Sequence, residues 1–283
     1  MSASSLDPLY VEARRALLDA LDGLASHLPA IVVVGAQAIY LHTGSGLRGI
    51  APFTSDGDLV LAPALLGDAP ALEAAMRGAG FRLREVDGHV EPGIWLRSSR
   101  VEGERVDIPV DLIVPDDAAP AGGRRGARLG VHGRRAARRI PGLEAALFDH
   151  TPMRVEALDP ADARVRTVAV AGPAALLVAK VHKLADRASN ERNDRLRDKD
   201  AVDVLRLVLG TKPAEVAATL HTLGTHPVAG ASVQSGIGRL EMLFGRRGAA
   251  GVEMAVRGAR LTMPSARVET LCVAYFGTLL AAL

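Results

Sequence analysis

Three aspartates have the spacing to hold divalent metal ions. Asp56 and Asp58 stand two residues apart in the segment Thr54-Ser55-Asp56-Gly57-Asp58, and Asp111 lies further on in residues 106–114. Side chains two residues apart on a strand project to one face, so these acids can converge. Carboxylates roughly 4 Å apart repel by roughly 4 kcal/mol per pair, and bound metal removes that penalty. Two bridged Mg²⁺ ions are the usual device for phosphoryl and nucleotidyl transfer.

Each acid also has a simpler explanation. Asp56-Gly57 is typical of a turn, with Asp58 as its cap. Asp111 interrupts an otherwise apolar run, where a charge needs a partner. Asp107 shares the face of Asp111 and could replace it, although Arg105 offers Asp107 a plain ion pair.

A glycine precedes the acids at a position suited to phosphate. Gly35 follows the β-branched run Ile31–Val34, and a short helix is predicted to begin at Ala36. Backbone N–H groups at a helix N-terminus bind phosphate well, although the glycine could simply permit a tight turn. Gly35 and Ala36, together with Thr54 and Ser55, are therefore the predicted nucleotide-binding residues of this half.

The surrounding pattern predicts an α/β half followed by a helical half. An opening helix capped by Asp7 precedes the Ile31–Val34 strand, and residues 59–61, 81–85, 94–97, 106–114, 153–158 and 165–170 are extended in pattern. After Gly172 and Pro173, apolar residues recur at helical spacing in residues 177–188, 201–209, 213–223 and 268–283. We place the domain boundary between residues 171 and 172.

Charged residues of the helical half are spaced so that opposite charges on two helices can face each other. Lys180, Lys183 and Arg187 share one helical face, and Asp200 and Asp203 lie three residues apart on the next helix. An interhelical ion-pair ladder, with Asp198 as an N-cap, accounts for them structurally. With the upstream acids, Lys180 or Lys183 becomes a triphosphate ligand and Asp200 its orienting partner.

Composition limits how nucleic acid could be bound. The chain of 283 residues is 48% hydrophobic and carries a formal charge of only +2, so contact with a nucleic acid must rest on local arginine clusters. No aromatic residues interleave with these clusters, which makes base stacking unsupported. Such clusters could track an RNA backbone, although a solvated basic loop, as at 122–139, is the commoner explanation. The clusters comprise Arg124, Arg125, Arg128, Arg134, Arg135, Arg138 and Arg139, then Arg187, Arg192, Arg195 and Arg197.

Other features point to a cytoplasmic protein without zinc. The single Cys272 lies in an apolar stretch, as a buried thiol would. We find no targeting or membrane-spanning segment, no Walker-type Gly-Lys-Ser/Thr loop and no paired histidine spacing for zinc.

Taken in order, these segments resemble a known family. Val32-Val33-Val34-Gly35-Ala36, then Asp56-x-Asp58, then Val110-Asp111-Leu112 resemble the minimal nucleotidyltransferase superfamily. Lys180-Val-His-Lys183 and the segment from Arg197 to Asp203 look like the third and fourth motifs of the AbiEii-type toxins, which include the MenT nucleotidyltransferases. The resemblance runs from about residue 31 to residue 209.

The resemblance implies a fold and an activity. It implies a nucleotidyltransferase-type mixed β-sheet flanked by helices, with a C-terminal helical bundle completing the active site. Two Mg²⁺ would bind Asp56, Asp58 and Asp111, and an NTP would donate a nucleotide to the 3′ end of tRNA. A cognate antitoxin would be a partner. Ala36 replaces the family's serine, and residues 35–56 exceed the family's minimum length.

Two alternatives stay open. The nucleotide could go to a small molecule or to a protein side chain, which an acidic pocket would favour. The chain could also be a catalytically inactive relative that binds nucleotide or RNA as a regulator, because Ala36 removes a hydroxyl that would contact phosphate.

Overall fold

The computed structural model describes residues 6–44, 50–121, 125–188 and 196–283. Contacts divide the chain into two compact units. The first comprises Met1–Gln37, Pro52–Ile140 and His150–Val170, and the second comprises Ala38–Ala51, Pro141–Asp149 and Ala171–Leu283. Two segments that precede the predicted boundary at residue 171 therefore belong to the second unit. No helix in the described ranges is long and apolar enough to cross a membrane.

The first unit is built on a mixed sheet. Its strands are β1 (Ile31–Val34), β2 (Gly57–Leu61), β3 (Arg82–Val86), β4 (His89–Val101), β5 (Glu104–Pro115), β6 (Arg138–Ile140), β7 (His150–Glu156) and β8 (Val165–Ala171). Their order in the sheet is β3-β4-β5-β2-β1-β8-β7, with β6 paired to β5 off this path. β1 runs antiparallel to β2 and parallel to β8, while β2 and β5 are parallel.

Helices flank this sheet, as predicted. α1 (Pro8–Gly23) begins where Asp7 Oδ1 accepts a hydrogen bond from the backbone N–H of Leu9 at 2.8 Å, and it packs on β2, β4 and β5. α2 (Gly35–Thr43) follows β1 directly, and α3 (Leu72–Gly78) precedes β3. The predicted mixed α/β architecture is confirmed.

The pairing partner of β5 changes from β4 to β6 near Gly93. The pairing of β4 with β5 ends at Ile94 opposite Asp111, and the pairing of β6 with β5 begins at Arg138 opposite Ile113. Gly93 has a φ of +72°, and a Cβ there would lie 2.4 Å from the backbone nitrogen of Arg138. Glycine is therefore required where the two strands meet. The predicted loop or excursion at the sheet's edge over residues 122–139 ends in this strand, since Arg138 and Arg139 belong to β6.

The second unit is helical, as predicted for the C-terminal half. Its helices are α4 (Pro173–Ala188), α5 (Leu196–Gly210), α6 (Pro213–Gly224), α7 (Gly230–Phe244), α8 (Ala250–Ala259) and α9 (Ser265–Ala281). α4 packs on α5 and α7, and α9 packs on α6 and α8. The rings of Phe244 and Phe276 lie 4.8 Å apart at their centroids, and Cys272 is buried. α7 and α8 had no counterpart in the sequence prediction.

Candidate active site

The glycine turn after β1 brings a carboxylate against the start of a helix. All four residues of β1 are buried, and Gly35 has a φ of +71°, a conformation that side chains disfavour. A Cβ on Gly35 would lie 2.1 Å from Oδ2 of Asp58. The missing side chain is therefore what lets the Asp58 carboxylate lie at the N-terminal end of α2. Ala36, the next residue, is buried, and its methyl side chain makes no polar contact.

Asp58 and Asp111 lie side by side on neighbouring parallel strands. Their Cα atoms are direct partners in the pairing of β2 with β5. Directly paired residues project to the same face of a sheet. Asp58 is half-buried, and the side chain of Asp111 is 13% exposed. The structure thus brings together two of the three predicted metal-binding acids.

Asp56 is held in place from its backbone and its side chain. The Thr54 hydroxyl donates to Oδ1 of Asp56, and Gln37 Nε2 donates to the Asp56 carbonyl oxygen at 2.8 Å. Arg14 Nε in turn donates to Gln37 Oε1 at 2.7 Å, and burial lowers the pKa of Arg14. The buried Thr54 hydroxyl thus contacts Asp56, one of the predicted ligands, while Ser55 is half-buried.

Asp111 has a cationic partner that sequence reasoning did not assign to it. Nη2 of Arg138 donates to Oδ2 of Asp111 in a short ion pair. Arg138 opens β6, opposite a residue two positions after Asp111, so both side chains lie on one face of the sheet. The predicted need for a partner at this apolar stretch could have pointed to an arginine, although not to which one.

The neighbouring acid on β5 has a different role. Asp107 accepts from Arg82 Nη2 and from Ser98 Oγ, the latter at 2.8 Å. Its expected partner Arg105 donates to Ser98 instead, at 3.3 Å. Asp107 therefore forms an ion pair, as predicted, but its partner is Arg82 of β3 and not Arg105.

The carboxylates fit a divalent ion only in part. Oxygen ligands of aspartate suit Mg²⁺, and Asp58 and Asp111 are placed side by side. In the described part of the chain, however, no group of three or more His, Cys, Asp or Glu residues is arranged to hold a metal. Arg138 supplies Asp111 with the charge partner that its apolar surroundings were predicted to require, in addition to any metal.

The second unit contains a buried ion cluster formed by the predicted lysine and aspartates. Lys180 Nζ donates to Asp200 Oδ1 at 2.7 Å and to Asp203 Oδ2 at 2.6 Å. Burial lowers the pKa of Lys180, but the two carboxylates outweigh it and raise this pKa well above the usual value. The Tyr40 hydroxyl donates to Asp203 Oδ1 at 3.2 Å. The predicted interhelical ion pairs are present.

The two predicted lysines differ in exposure. The side chain of Lys180 is 7% exposed, whereas that of Lys183 is 47% exposed with its Nζ 3.5 Å from Oδ1 of Asp200. A fully engaged ammonium has little left to offer a ligand, while a half-exposed one can add phosphate oxygens. Within this unit, Lys183 is therefore the better candidate for an anion ligand and Lys180 the better candidate for a positioning residue.

Comparison with known proteins finds two remote likenesses in solved structures. One is an antigenic nucleotidyltransferase-like protein from Paracoccidioides brasiliensis, at 16% identity over 81% of this chain and 94% of that one, with a TM-score of 0.41. The other is JHP933 from Helicobacter pylori, at 12% identity over 97% and 95%, with a TM-score of 0.43. No family model and no curated protein matches the sequence.

The arginines of the first predicted basic cluster fall into two groups. Arg138 and Arg139 form ion pairs with Asp111 and Asp116. The others that are described are exposed: Arg125, Arg128, Arg134 and Arg135. Arg124, Arg192 and Arg195 lie outside the described residues, as do the side chains of Arg187 and Arg197.

Several positioning residues escaped the sequence analysis. Gln37 and Arg14 hold the Asp56 backbone, although both lie in ordinary helical patterns. Arg206 is fully buried in the second unit, where it donates to the Gly44 carbonyl at 2.5 Å and its guanidinium lies 4.8 Å from the centre of the Tyr40 ring. A buried arginine in an apolar helix is a signal for such a role, because it must find acceptors.

Proposed function

We propose that the chain is a nucleotidyltransferase that transfers a nucleoside monophosphate from an NTP to an acceptor hydroxyl. The observation that carries this proposal is the packing of the Asp58 carboxylate against Gly35 at the start of α2, with Asp111 as its direct strand neighbour. This arrangement sets carboxylates for metal beside helix N–H groups suited to phosphate.

Each residue of this arrangement has a proposed role. Asp56, Asp58 and Asp111 would hold Mg²⁺, which when bound supplies charge neutralisation of the triphosphate and activation of the acceptor hydroxyl. Gly35 and Ala36 offer backbone N–H groups to phosphate, and Asp111 assists removal of the hydroxyl proton. The acceptor oxygen bonds to the α-phosphorus as the bond to the β-phosphate breaks, and pyrophosphate leaves.

The resemblance supplies the finer parts of the proposal. We propose Lys183 as a triphosphate ligand and Lys180 as the residue that positions Asp200, because their exposures differ. By analogy with the AbiEii and MenT proteins, the acceptor would be the 3′ end of tRNA. The protein would then act as a toxin in the cytoplasm, neutralised by a cognate antitoxin.

Label transfer tests the activity. The protein is incubated with Mg²⁺, total tRNA and each labelled NTP in turn, beside Asp58→Asn and Asp107→Asn variants. Asp107 is the matched control, because it is an acid of β5 that pairs with Arg82 away from the turn. We expect transfer by the parent and the Asp107 variant, and a loss of at least about 100-fold in the Asp58 variant. Equal activity of all three would overturn the assignment.

The same assay separates the alternatives. Label on a small molecule or on protein, with none on RNA, would move the acceptor while keeping the chemistry. The inactive-regulator alternative draws on Ala36, whose buried methyl group replaces a hydroxyl. It predicts nucleotide or RNA binding without any transfer of label. Growth arrest on expression, absent in Asp58→Asn, would support the toxin role.

A further inference from the structure

We propose that Arg138 binds an anionic group of the acceptor, so that the acceptor hydroxyl lies close to a phosphate. This inference rests on the proposed nucleotidyl transfer and specifies the class of acceptor, which the carboxylates alone leave open. The acceptor is then a phosphate-bearing compound, such as an oligonucleotide end or a sugar phosphate, and not a neutral or cationic molecule.

The candidate site forms a row across four neighbouring strands. β1, β2, β5 and β6 are successive neighbours in the sheet. In that order they contribute Gly35 just after the first strand, then Asp58, Asp111 and Arg138. Neighbouring strands lie about 4.8 Å apart, so three strand spacings put Arg138 about 14 Å across the sheet from the N-terminal end of α2. The two acids lie between these ends.

The row lies on the face of the sheet that points away from α1. A Cβ on Gly57 would lie 3.3 Å from Cδ1 of Leu17 in α1, and Asp58 is the next residue, so it projects to the opposite face. Asp111 is the direct strand partner of Asp58, and its ion pair with Arg138 places that guanidinium on the same face. The 31% exposure of the Arg138 side chain shows that this end of the row is open.

Arg138 keeps unused donor capacity. Within the described ranges, its side chain donates only to Oδ2 of Asp111, and its Nε is buried without a partner. The residue bridged to it on the other side of β6 is Gly126, which has no side chain to compete for these donors. Arg139 instead donates to both the side chain and the carbonyl of Asp116. A guanidinium has five N–H donors in a planar fork that matches two phosphate oxygens, so Arg138 can hold Asp111 and still bind an anion.

In-line transfer decides which substrate meets Arg138. The attacking oxygen and the leaving oxygen lie on opposite sides of the phosphorus that is transferred. With the triphosphate at the N-terminal end of α2 beside Asp58, pyrophosphate leaves toward that end and the acceptor approaches from the end of Asp111. Arg138 lies beyond Asp111, so an anion that it binds belongs to the acceptor.

Competition binding without NTP or metal tests the anion site. The anisotropy of a fluorescein-labelled triribonucleotide with a free 3′ hydroxyl is measured with the parent, Arg138→Gln, Arg138→Lys and Arg139→Gln, while ribose 5-phosphate or ribose is added. Arg139 is the matched control, since it is the next residue on β6 and pairs with Asp116 at 2.8 Å. Arg138→Lys keeps the charge beside Asp111 but loses the fork, so it separates a lost anion contact from a disturbed carboxylate.

We expect Arg138→Gln to weaken binding of the trinucleotide at least about tenfold, as the loss of a charge-assisted hydrogen bond does. Arg138→Lys should weaken it less, Arg139→Gln should bind as the parent does, and ribose 5-phosphate but not ribose should displace the probe. Asp111→Asn should bind at least as tightly as the parent, because it removes a negative charge beside the anion. Unchanged binding by Arg138→Gln, equal displacement by the two sugars, or weaker binding by Asp111→Asn overturns the inference.

Label transfer separates this inference from the proposed function. The trinucleotide and ribose 5-phosphate, the two sources of phosphate, are offered as acceptors beside ribose. In Arg138→Gln the KM for the acceptor should rise at least about tenfold, while the KM for NTP stays within about twofold. A parent whose transfer is insensitive to Arg138→Gln refutes only the role of Arg138. A parent that binds the trinucleotide through Arg138 without transferring label refutes the nucleotidyl transfer and keeps the anion site, and one that does neither refutes both.

Discussion

Replacing Gly35 by alanine tests whether the glycine turn positions Asp58. A φ of +71° costs a residue with a Cβ about 1–2 kcal/mol. The new Cβ would lie 2.1 Å from Asp58 Oδ2 and 3.0 Å from its Cγ, so Asp58 must leave its rotamer, at about 0.5–1.5 kcal/mol. We expect the free energy of unfolding to fall by about 1.5–3.5 kcal/mol in total, with loss of nucleotidyl transfer.

Gly88→Ala separates backbone strain from the clash. Gly88 has a φ of +74°, and its added Cβ would meet no atom of the described residues within 4 Å. We expect urea unfolding to show a loss of about 1–2 kcal/mol for this variant and full transfer activity. The difference between the two alanine variants then measures the displacement of Asp58.

A double-mutant cycle with Asp58→Ala isolates the contact. In that background the clashing carboxylate is gone, so Gly35→Ala should cost about 0.5–1.5 kcal/mol less than in the parent. A coupling energy of zero would refute the claim that the glycine exists to admit Asp58. So would a Gly35→Ala protein that transfers label as fast as Gly88→Ala does.

Three further perturbations follow from the structure. Burial and the neighbouring His27 lower the pKa of His132, so the unfolded chain takes up a proton at a higher pH than the folded chain does. The melting temperature should therefore fall as pH drops below about 6.5. His132→Asn should flatten that dependence in thermal scans. Lys180→Met removes the ammonium from two buried carboxylates and should lower the free energy of unfolding in urea by about 3–5 kcal/mol. Lys183 is half-exposed, so Lys183→Met should lower it by under about 1 kcal/mol. Equal losses in the two variants would count against the buried cluster. Gly93→Ala should cost about 2–5 kcal/mol, of which about 1–3 kcal/mol comes from overpacking and about 1–2 kcal/mol from the φ of +72°. Its Cβ would lie 2.4 Å from the Arg138 backbone nitrogen, which cannot rotate away as a side chain can. A loss below about 2 kcal/mol in urea unfolding would show that β6 can shift.

Sequence patterns predicted the elements that carry the acids because those patterns are local. The β-branched run at Ile31–Val34 and the glycine after it indicate a strand, a turn and a helix from local sequence alone, without reference to tertiary contacts. Asp111 was recognisable because a charge within an apolar strand requires compensation. The register that makes Asp58 its direct neighbour comes from a parallel pairing, which local patterns do not encode.

The misses share a physical cause, which is packing between distant segments. β6 has only three residues in a Gly- and Arg-rich segment, and its pairing with β5 alone makes it a strand. α7 contains glycines, which disfavour helices, yet a Cβ on Gly236 would lie 3.1 Å from Val178 Cγ1 on α4. The glycine permits close helix packing that outweighs its low propensity. The Arg138–Asp111 ion pair was missed for the same reason as β6, because it depends on the pairing of that strand with β5.

Cys272 gives the protein a practical property. It is the only cysteine of the chain, it is fully buried, and burial raises its pKa to about 12. Because the thiolate is the reactive form, maleimide reagents should leave the native chain almost untouched. A cysteine introduced at an exposed position, such as Leu261 at 88% exposure, would then be the sole labelled site. Fluorescent derivatives can thus be made without first removing a native cysteine.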